Sequence, residues 1–390
     1  MSARVDPQLL LELKKYGTVS VEKCFNCGNC TATCPLSTNG ETFPRRLIRY
    51  AQLGMKKPLL GSKELWLCYY CGECTQTCPK QADPGEFMAA ARRYAIASYD
   101  PLGLAKLLYT SSVLSTVFLT LLAILIGLVV YTSHGPMATD TLKLFEFIPA
   151  TAVHNFGVGA MVIVALTGLV NTVNMIAQVW RENVLVNTPN IRLNWLSALW
   201  ETVVEVLTQQ RYQRDCETGS DKQAWFLQKW FIHASMLWGF LGLLAATALD
   251  FGLELLGVKP TGTWVPLWNP VRLLGTLAGL LLVYGVTVAI VKRFRKADEA
   301  SLYSTASDWI LLIFLWLTGV SGFVLEVALY LPQPAVWAYW TLLFHISVAA
   351  ELLLLLPYTK FAHAIYRIVA LYLHALKPMP ATEAAKAGTD

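Results

Sequence analysis

Eight of the chain's nine cysteines fall into two runs of identical spacing, 44 positions apart. The first sets Cys24, Cys27, Cys30 and Cys34 before Pro35, and the second sets Cys68, Cys71, Cys74 and Cys78 before Pro79. Such spacing serves iron chemistry: C-x2-C-x2-C-x3-C-P wraps three thiolates round one 4Fe-4S cube and lends the fourth to a second cube. Two clusters with crossed ligands are therefore expected. One takes Cys24, Cys27, Cys30 and Cys78; the other takes Cys68, Cys71, Cys74 and Cys34. Disulfides would need an oxidising compartment, whereas residues 1–16 are charged and amphipathic rather than an apolar leader. Structural zinc takes C-x2-C pairs split by a longer insert. Gly28 and Gly72 recur inside the loops, where a missing side chain lets backbone N–H groups approach sulfur. Cys216 stands alone in a polar stretch and reads as a plain thiol.

Four of the six histidines (His154, His233, His345 and His363) form a second candidate ligand set, because they lie inside long apolar runs. Hydropathy supplies the elements that would hold them. Of 390 residues, 55% are hydrophobic and 15% charged, with 13 tryptophans. That is too apolar for an ordinary soluble protein. Residues 1–100 are polar and cysteine-rich, and the remainder carries runs long enough to cross a bilayer. Six spans are expected, over 107–131, 151–180, 225–251, 271–294, 309–331 and 337–367. A count of five follows if the fifth and sixth runs form a re-entrant pair. The Pro332-Gln333-Pro334 break instead reads as a tight turn between full spans.

Basic residues flanking the spans set the orientation. Arg181, Arg192, Arg211, Arg214 and Lys222 follow the second span; Lys292, Arg293, Arg295 and Lys296 follow the fourth; Arg367 and Lys377 follow the sixth. The opposite loops offer little beyond Lys143 and Lys259. Both termini and the cysteine runs are thus expected on the cytoplasmic face of the inner membrane, where thiols stay reduced. Residues 194–210 space Leu196, Leu199, Trp200, Val203, Val206 and Leu207 as an amphipathic helix with Asn194 as N-cap. It would lie on the inner membrane surface or under the cysteine-rich domain.

His345 and His363 are 18 residues apart, five turns of a straight helix, so they would share one face about 27 Å apart. Orientation then sorts the histidines by depth. His154 and His345 lie toward the outer surface, and His233 and His363 toward the inner. Each pair joins two helices, as bis-histidine haem iron requires, so two haem b groups are expected. Packing or proton-relay histidines are the alternative. Gly157 and Gly168 near the face of His154 make room for a flat ring or for close helix packing. Lys229, Arg367 and, on the outer side, Arg272 are candidate propionate partners or snorkelling cations. His134 and His374 have no partner at their depth and read as surface histidines. Asp250, Glu254 and Glu326 sit at outer span ends, and Glu351 lies mid-span, where a carboxyl group is costly.

The stretch 42–49 (Thr-Phe-Pro-Arg-Arg-Leu-Ile-Arg) and the stretch 66–74 (Trp-Leu-Cys-Tyr-Tyr-Cys-Gly-Glu-Cys) resemble the iron–sulfur C subunit of heterodisulfide reductases. The membrane half, through His154, His233, His345 and His363, is similar to the cytochrome b subunit of that family, itself similar to the nitrate reductase gamma subunit. A fusion in this order is similar to the C subunits of quinone-interacting membrane-bound oxidoreductases of sulfate-reducing prokaryotes. The implied fold class is all-α. A helical bis-4Fe-4S ferredoxin-like domain over 1–100 precedes a six-span cytochrome b bundle over 101–376 and a polar tail over 377–390. The implied activity is electron transfer between menaquinone and soluble flavin and iron–sulfur subunits A and B, which would serve adenylylsulfate reductase. No cysteine-rich C-C-G motif follows the second run, which favours a relay over catalytic disulfide reduction.

No phosphate-binding glycine loop or dinucleotide fingerprint occurs in the polar part, so flavin is expected on other chains and no nucleic acid is expected as a partner. Arg45, Arg46, Arg49, Lys56, Lys57, Arg92 and Arg93 form an expected docking face for an acidic partner, or a solvated surface near anionic lipid. A quinone pocket is expected near the outer haem. The competing readings are the membrane arm of a heterodisulfide- or sulfite-pathway reductase, and a non-redox membrane anchor.

Overall fold

A computed structural model describes residues 4–17, 20–37, 42–182, 193–216, 224–260, 262, 265–297, 302–331 and 335–378. Arg192, Lys222, the break at 332–334, the tail beyond Pro378 and the side chain of Cys216 lie outside the described residues. The described residues are helical without a β-strand, apart from an isolated bridge between Leu193 and Pro378.

Proline, glycine and the cysteine loops interrupt the first hundred residues every few positions, so their helices are short. These are α1 (Leu9–Leu13), α2 (Asn29–Thr33), α3 (Arg45–Gln52), α4 (Lys56–Leu60), α5 (Glu64–Leu67) and α6 (Glu73–Gln76). The longer α7 (Pro84–Tyr99) starts on a proline, whose missing N–H costs nothing at that position. It is followed by α8 (Leu104–Thr110). The second half runs α9 (Ser112–Tyr131), α10 (Leu144–Phe147), α11 (Ala150–Glu182), α12 (Trp195–Thr208), α13 (Gln210–Cys216), α14 (Lys229–Leu255), α15 (Pro270–Phe294), α16 (Ala306–Ala328), α17 (Trp337–Leu354) and α18 (Ala362–Ala375).

Six of these, α9, α11, α14, α15, α16 and α17, are long and apolar enough to cross a membrane. Val162, Ile163, Leu166 and Leu169 of α11 are exposed, the outward apolar face expected of a helix solvated by lipid. Small residues let backbones approach. A Cβ on Gly239 of α14 would lie 2.5 Å from the Leu282 nitrogen of α15, and one on Gly285 would lie 2.9 Å from the Ile232 carbonyl oxygen.

The sixth span departs from expectation. It is not one helix over 337–367: α17 stops at Leu354, a 3-10 turn covers Leu356–Tyr358, and α18 starts at Ala362. Pro357 is the physical reason, since it has no N–H to give and its ring crowds the preceding turn. Helical period therefore does not set His345 and His363 on one face. Their placement comes from tertiary packing instead.

One hydrophobic core runs through the cysteine-rich unit and the near end of the bundle. It joins Leu47, Trp66, Phe87 and Tyr99 with Met175 and Val179 of α11 and with Ala362, Tyr366, Ala370 and Leu373 of α18. A Cβ on Gly61 would sit 2.3 Å from Glu182 Cγ, so the two parts touch at backbone distance. Arg93 of α7, Arg293 near the end of the fourth span and Lys360 all converge on Asp308, at the start of α16. Asp308 also closes a capping box with Thr305. The far end is marked by the Arg272–Glu326 pair and by Lys259 with Asp250 and Glu254.

On α12, Ala198 and Thr202 are buried, while Leu196 is 84% and Trp200 70% exposed. The apolar face thus points outward at the near end of the bundle. Asn194 stands at the N-cap position, but its Oδ1 accepts from the Lys377 N–H at 2.6 Å instead of capping the helix.

Candidate metal centres

The two cysteine runs fold alike. Gly28 and Gly72, at φ 94° and 96°, each precede a short helix, and the preceding Asn26 and Tyr70 also have positive φ, 67° and 57°. A left-handed residue turns the chain sharply enough for successive cysteines to face one point, and glycine adopts that conformation without strain. α2 packs against α6, and the corresponding Thr33 and Thr77 meet at 3.4 Å between hydroxyls. The pair forms two copies of one loop that meet along α2 and α6.

That arrangement sorts the cysteines into two cavities. One is lined by Cys24, Cys27, Cys30 and Cys78, together with Asn29 and Arg45. The other is lined by Cys34, Cys68, Cys71 and Cys74, with Leu36, Phe43 and Met88. Each cavity thus gathers three thiols of one run and the fourth of the other. Among the described residues no three His, Cys, Asp or Glu side chains converge closely enough for a single metal ion. Four thiols around a cavity suit a multi-iron cube, whose corners stand farther apart than the ligands of one ion. Burial raises the Cys34 thiol to about 12, with Cys68 and Cys71 adding to the rise, and it raises Cys30 and Cys74 too. Metal binding must therefore displace protons from these thiols. Backbone N–H groups of Tyr70 and Ala82 donate to Cys68 Sγ and Cys78 Sγ at 3.4 and 3.3 Å.

The second loop faces the membrane helices. Trp66, wholly buried, has its ring 5.9 Å from the His363 ring and 5.0 Å from that of Tyr366. Arg367, one turn after His363, donates through Nη1 to the carbonyls of Trp66 and Leu67, each at 3.0 Å, and to that of Cys68 at 3.5 Å. Its guanidinium also lies 4.3 Å from the Tyr69 ring, which stacks on Tyr212 of α13 at 5.1 Å. Arg92 donates to the Leu65 carbonyl at 2.8 Å and to that of Cys68. Sequence reasoning missed Trp66 and Asp308. Trp66 stands within the stretch that carries the family resemblance, and Asp308 is a local capping residue. The contact with His363 and the gathering of three cations depend instead on partners elsewhere along the chain.

The four histidines sit as follows. His233 lies near the start of α14 and its Nδ1 is 2.9 Å from Gln209 Oε1, which leaves Nε2 for another partner. His363 is within electrostatic range of His233, Arg92, Arg367 and Lys360, and its buried Nδ1 has no hydrogen-bond partner among the described residues. His345 Nδ1 is 2.8 Å from Ser321 Oγ, and Gly322 makes room for its ring, since a Cβ there would lie 3.3 Å from Cε1. His154 Nε2 is 3.5 Å from Glu254 Oε2, with the Phe251 ring at 4.8 Å. A second nitrogen held by a neighbour while the first stays open is the usual state of a metal-binding imidazole. His233 and His345 meet that description; His154 presents its Nε2 to a carboxylate.

Other expected residues fall elsewhere. A Cβ on Gly157 would meet nothing within 4 Å, so close packing does not explain that glycine. Arg272 ion-pairs with Glu326 at 3.6 Å and donates to the Val265 carbonyl at 2.9 Å. Lys229 opens α14, one turn before His233. Arg92 and Arg93 leave the expected docking face: Arg93 is buried, with Nη1 2.7 Å from the Tyr16 carbonyl oxygen and 3.2 Å from Glu86, and Arg92 is spent on the carbonyls of Leu65 and Cys68. His374 is not an ordinary surface histidine, because burial in α18 and the charges of Lys63 and Arg211 push it down to about 4. Neither carboxylate oxygen of the fully buried Glu351 has a hydrogen-bond partner among the described residues.

Comparison with known proteins agrees with this division. Residues 20–82 match the 4Fe-4S dicluster domain. The chain is 33% identical over 63 residues to the C subunit of the H(2):CoB-CoM heterodisulfide,ferredoxin reductase of Methanothermobacter thermautotrophicus, covering 16% of this chain and 34% of the relative. It is 27% identical over 150 residues to the E subunit of the dihydromethanophenazine:CoB–CoM heterodisulfide reductase of Methanosarcina mazei, covering 35% and 56%. It is 27% identical over 178 residues to citrate utilization protein B of Escherichia coli, covering 45% and 44%. The chain thus spans between a third and just over half of the length of these relatives. No solved structure matches. The cysteine loops and six apolar helices make this a membrane iron–sulfur electron-transfer protein. The match to citrate utilization protein B takes in residues 102–385, most of the chain, and the chain belongs to that family.

Proposed function

We propose that this chain is the membrane electron-transfer subunit of a quinone-dependent oxidoreductase, carrying two 4Fe-4S clusters and two haem b groups. Cys24, Cys27, Cys30 and Cys78 would hold one cluster, and Cys34, Cys68, Cys71 and Cys74 the other. His233 and His363 would hold the near haem, and His154 and His345 the far one. When bound, these groups supply one-electron steps between a lipid-soluble carrier and a soluble protein.

One observation carries the reading. Trp66, two residues before the ligand Cys68, packs on His363, and Arg367 ties the same loop to α18. A cysteine of one candidate centre and a histidine of the next are thereby fixed in one packed junction. Arg367 positions the loop through its carbonyls, and Asp308 clamps the whole unit to the bundle. The cysteine unit would face the cytoplasm, as the basic loops at this end favour. At the far end, Glu254 and Asp250 surround Lys259 beside His154, a set able to take up protons from a quinol. A relative is named for dihydromethanophenazine as its electron donor, and menaquinone is the donor proposed for this chain. Soluble flavin subunits, and adenylylsulfate reductase beyond them, rest on the resemblance of the fused architecture alone.

A second reading is the membrane arm of a heterodisulfide-type reductase. The names of relatives to both halves of the chain favour it. Reduced-minus-oxidised spectra of the purified protein with a menaquinol analogue as donor test the first reading. Two b-type haem signals and quinol-reducible clusters are expected, and His345→Ala should remove one haem and leave the other. A colourless protein would reduce the chain to a membrane anchor. Reduction by quinol with transfer to the CoB–CoM heterodisulfide through copurifying proteins would select the second reading.

A further inference from the structure

We propose that the loop bearing Cys27 is a docking port at which an acidic soluble redox protein exchanges electrons with this chain. The inference rests on the two-cluster reading above, and it decides which cluster the partner meets. The second loop is packed over at its Cys68 end. Tyr69 stacks on Tyr212, Arg367 and Arg92 close on the Cys68 carbonyl, and Trp66 has no solvent exposure. The first loop is open. Cys27 is exposed, whereas the other seven cysteines of the two runs are intermediate or buried. Phe25 beside it is 59% exposed, a large apolar ring held out into water next to a metal ligand.

Charge around this ring has one dominant sign. Lys80 Nζ stands 5.7 Å from the Phe25 ring centroid, and Lys23 is exposed on the other side of Cys24. Arg45 lines the cavity itself. Arg49, one turn along α3, lies 3.4 Å from Gln52 Oε1, and Gln52 Nε2 donates to the carbonyls of Val21 and Cys24 at 2.8 and 3.0 Å. Of the nearby acids, Glu22 is paired with Lys14 at 2.9 Å, Asp83 accepts from the Ser20 hydroxyl at 3.2 Å, and Glu73 stands exposed on the other loop. The result is an exposed aromatic tip with Lys80 at its ring, Arg45 in the cavity beside it, and Lys23 and Arg49 on the same loop and its supporting helix. An exposed aromatic anchor within a basic rim recognises an acidic face and steers its approach. The two glutamine hydrogen bonds hold the tip ready, so little ordering is lost on docking.

The test uses the full chain in nanodiscs, reduced with dithionite, and two small oxidants of opposite charge. One electron leaves the cluster and converts ferricyanide to ferrocyanide, or hexaammineruthenium(III) to the (II) ion; no proton moves. Stopped-flow rates at low salt should favour ferricyanide. Lys23→Glu with Lys80→Glu should slow ferricyanide about tenfold and speed the ruthenium ion, both effects vanishing at high salt. The milder Lys23→Gln with Lys80→Gln should move both rates the same way by less, and Lys106→Glu, exposed on α8, should leave them unchanged. If both double variants keep their cluster signals and the rates do not move, the port is elsewhere. Absence of any cluster signal in the unsubstituted protein would sink the two-cluster reading instead.

Discussion

Asp308→Asn is the substitution that most directly probes how the cysteine unit is held on the bundle. Its carboxylate is 3% exposed and receives Arg93 Nη2 and Arg293 Nη1, each at 3.6 Å, as well as the Lys360 ammonium. The amide keeps the size and can still cap α16, so the change removes charge and little else. Among the described residues the three cations then keep Glu86, which lies 3.2 Å from Arg93, as their carboxylate partner. Breaking a buried pair by removing one partner costs about 3–5 kcal/mol, because the remaining charge is left in a poor solvent. The loss should fall on the junction, because Arg93 belongs to α7 and Lys360 to the turn before α18. Denaturant titration of the loaded protein in detergent, read by bleaching of the iron–sulfur absorbance, measures it. Arg93→Met combined with Asp308→Leu should recover part of the loss, since a matched apolar pair avoids the desolvation cost. A loss under about 1 kcal/mol, the scale of an exposed pair such as Lys14–Glu22, would refute the clamp; so would a double variant whose loss equals the sum of the single ones.

Three further outcomes follow from the same geometry. Arg367→Met should free the carbonyls of Trp66, Leu67 and Cys68 and cost about 1.5–3 kcal/mol, seen as selective broadening of the second cluster's EPR signal. Gly28→Ala forces an L side chain to φ 94° and brings a Cβ to 3.2 Å from Arg45 Nη1, a strain of about 1–2 kcal/mol; iron content should fall toward half while the second cluster persists. His374 is held down to about 4 by burial and by Lys63 and Arg211, so the unfolded chain binds its proton first as pH drops. The neutral form's contribution, on the order of 3 kcal/mol, should be complete above about pH 6.5 and vanish as pH falls toward 4. His374→Gln should flatten that part of a stability–pH curve.

Some of this was decided along the chain itself. Cysteine spacing indicates which thiols gather in each cavity, because each run is local and the two cavities need only the loops and one crossing of the pair. Apolar length set six membrane helices, since a bilayer demands about 20 residues whatever the neighbours are. Tertiary structure alone decided the rest. Pro357 breaks the sixth span, so the relation of His345 to His363 depends on how α17 and α18 pack and not on helical period. Arg92 and Arg93 look in sequence like surface charges and turn out to be spent inside, on Cys68, Tyr16, Glu86 and Asp308. Trp66 against His363 joins positions 297 residues apart. Contacts of that kind are fixed by shared burial and complementary charge, which act through space and leave no period or motif in the order of residues.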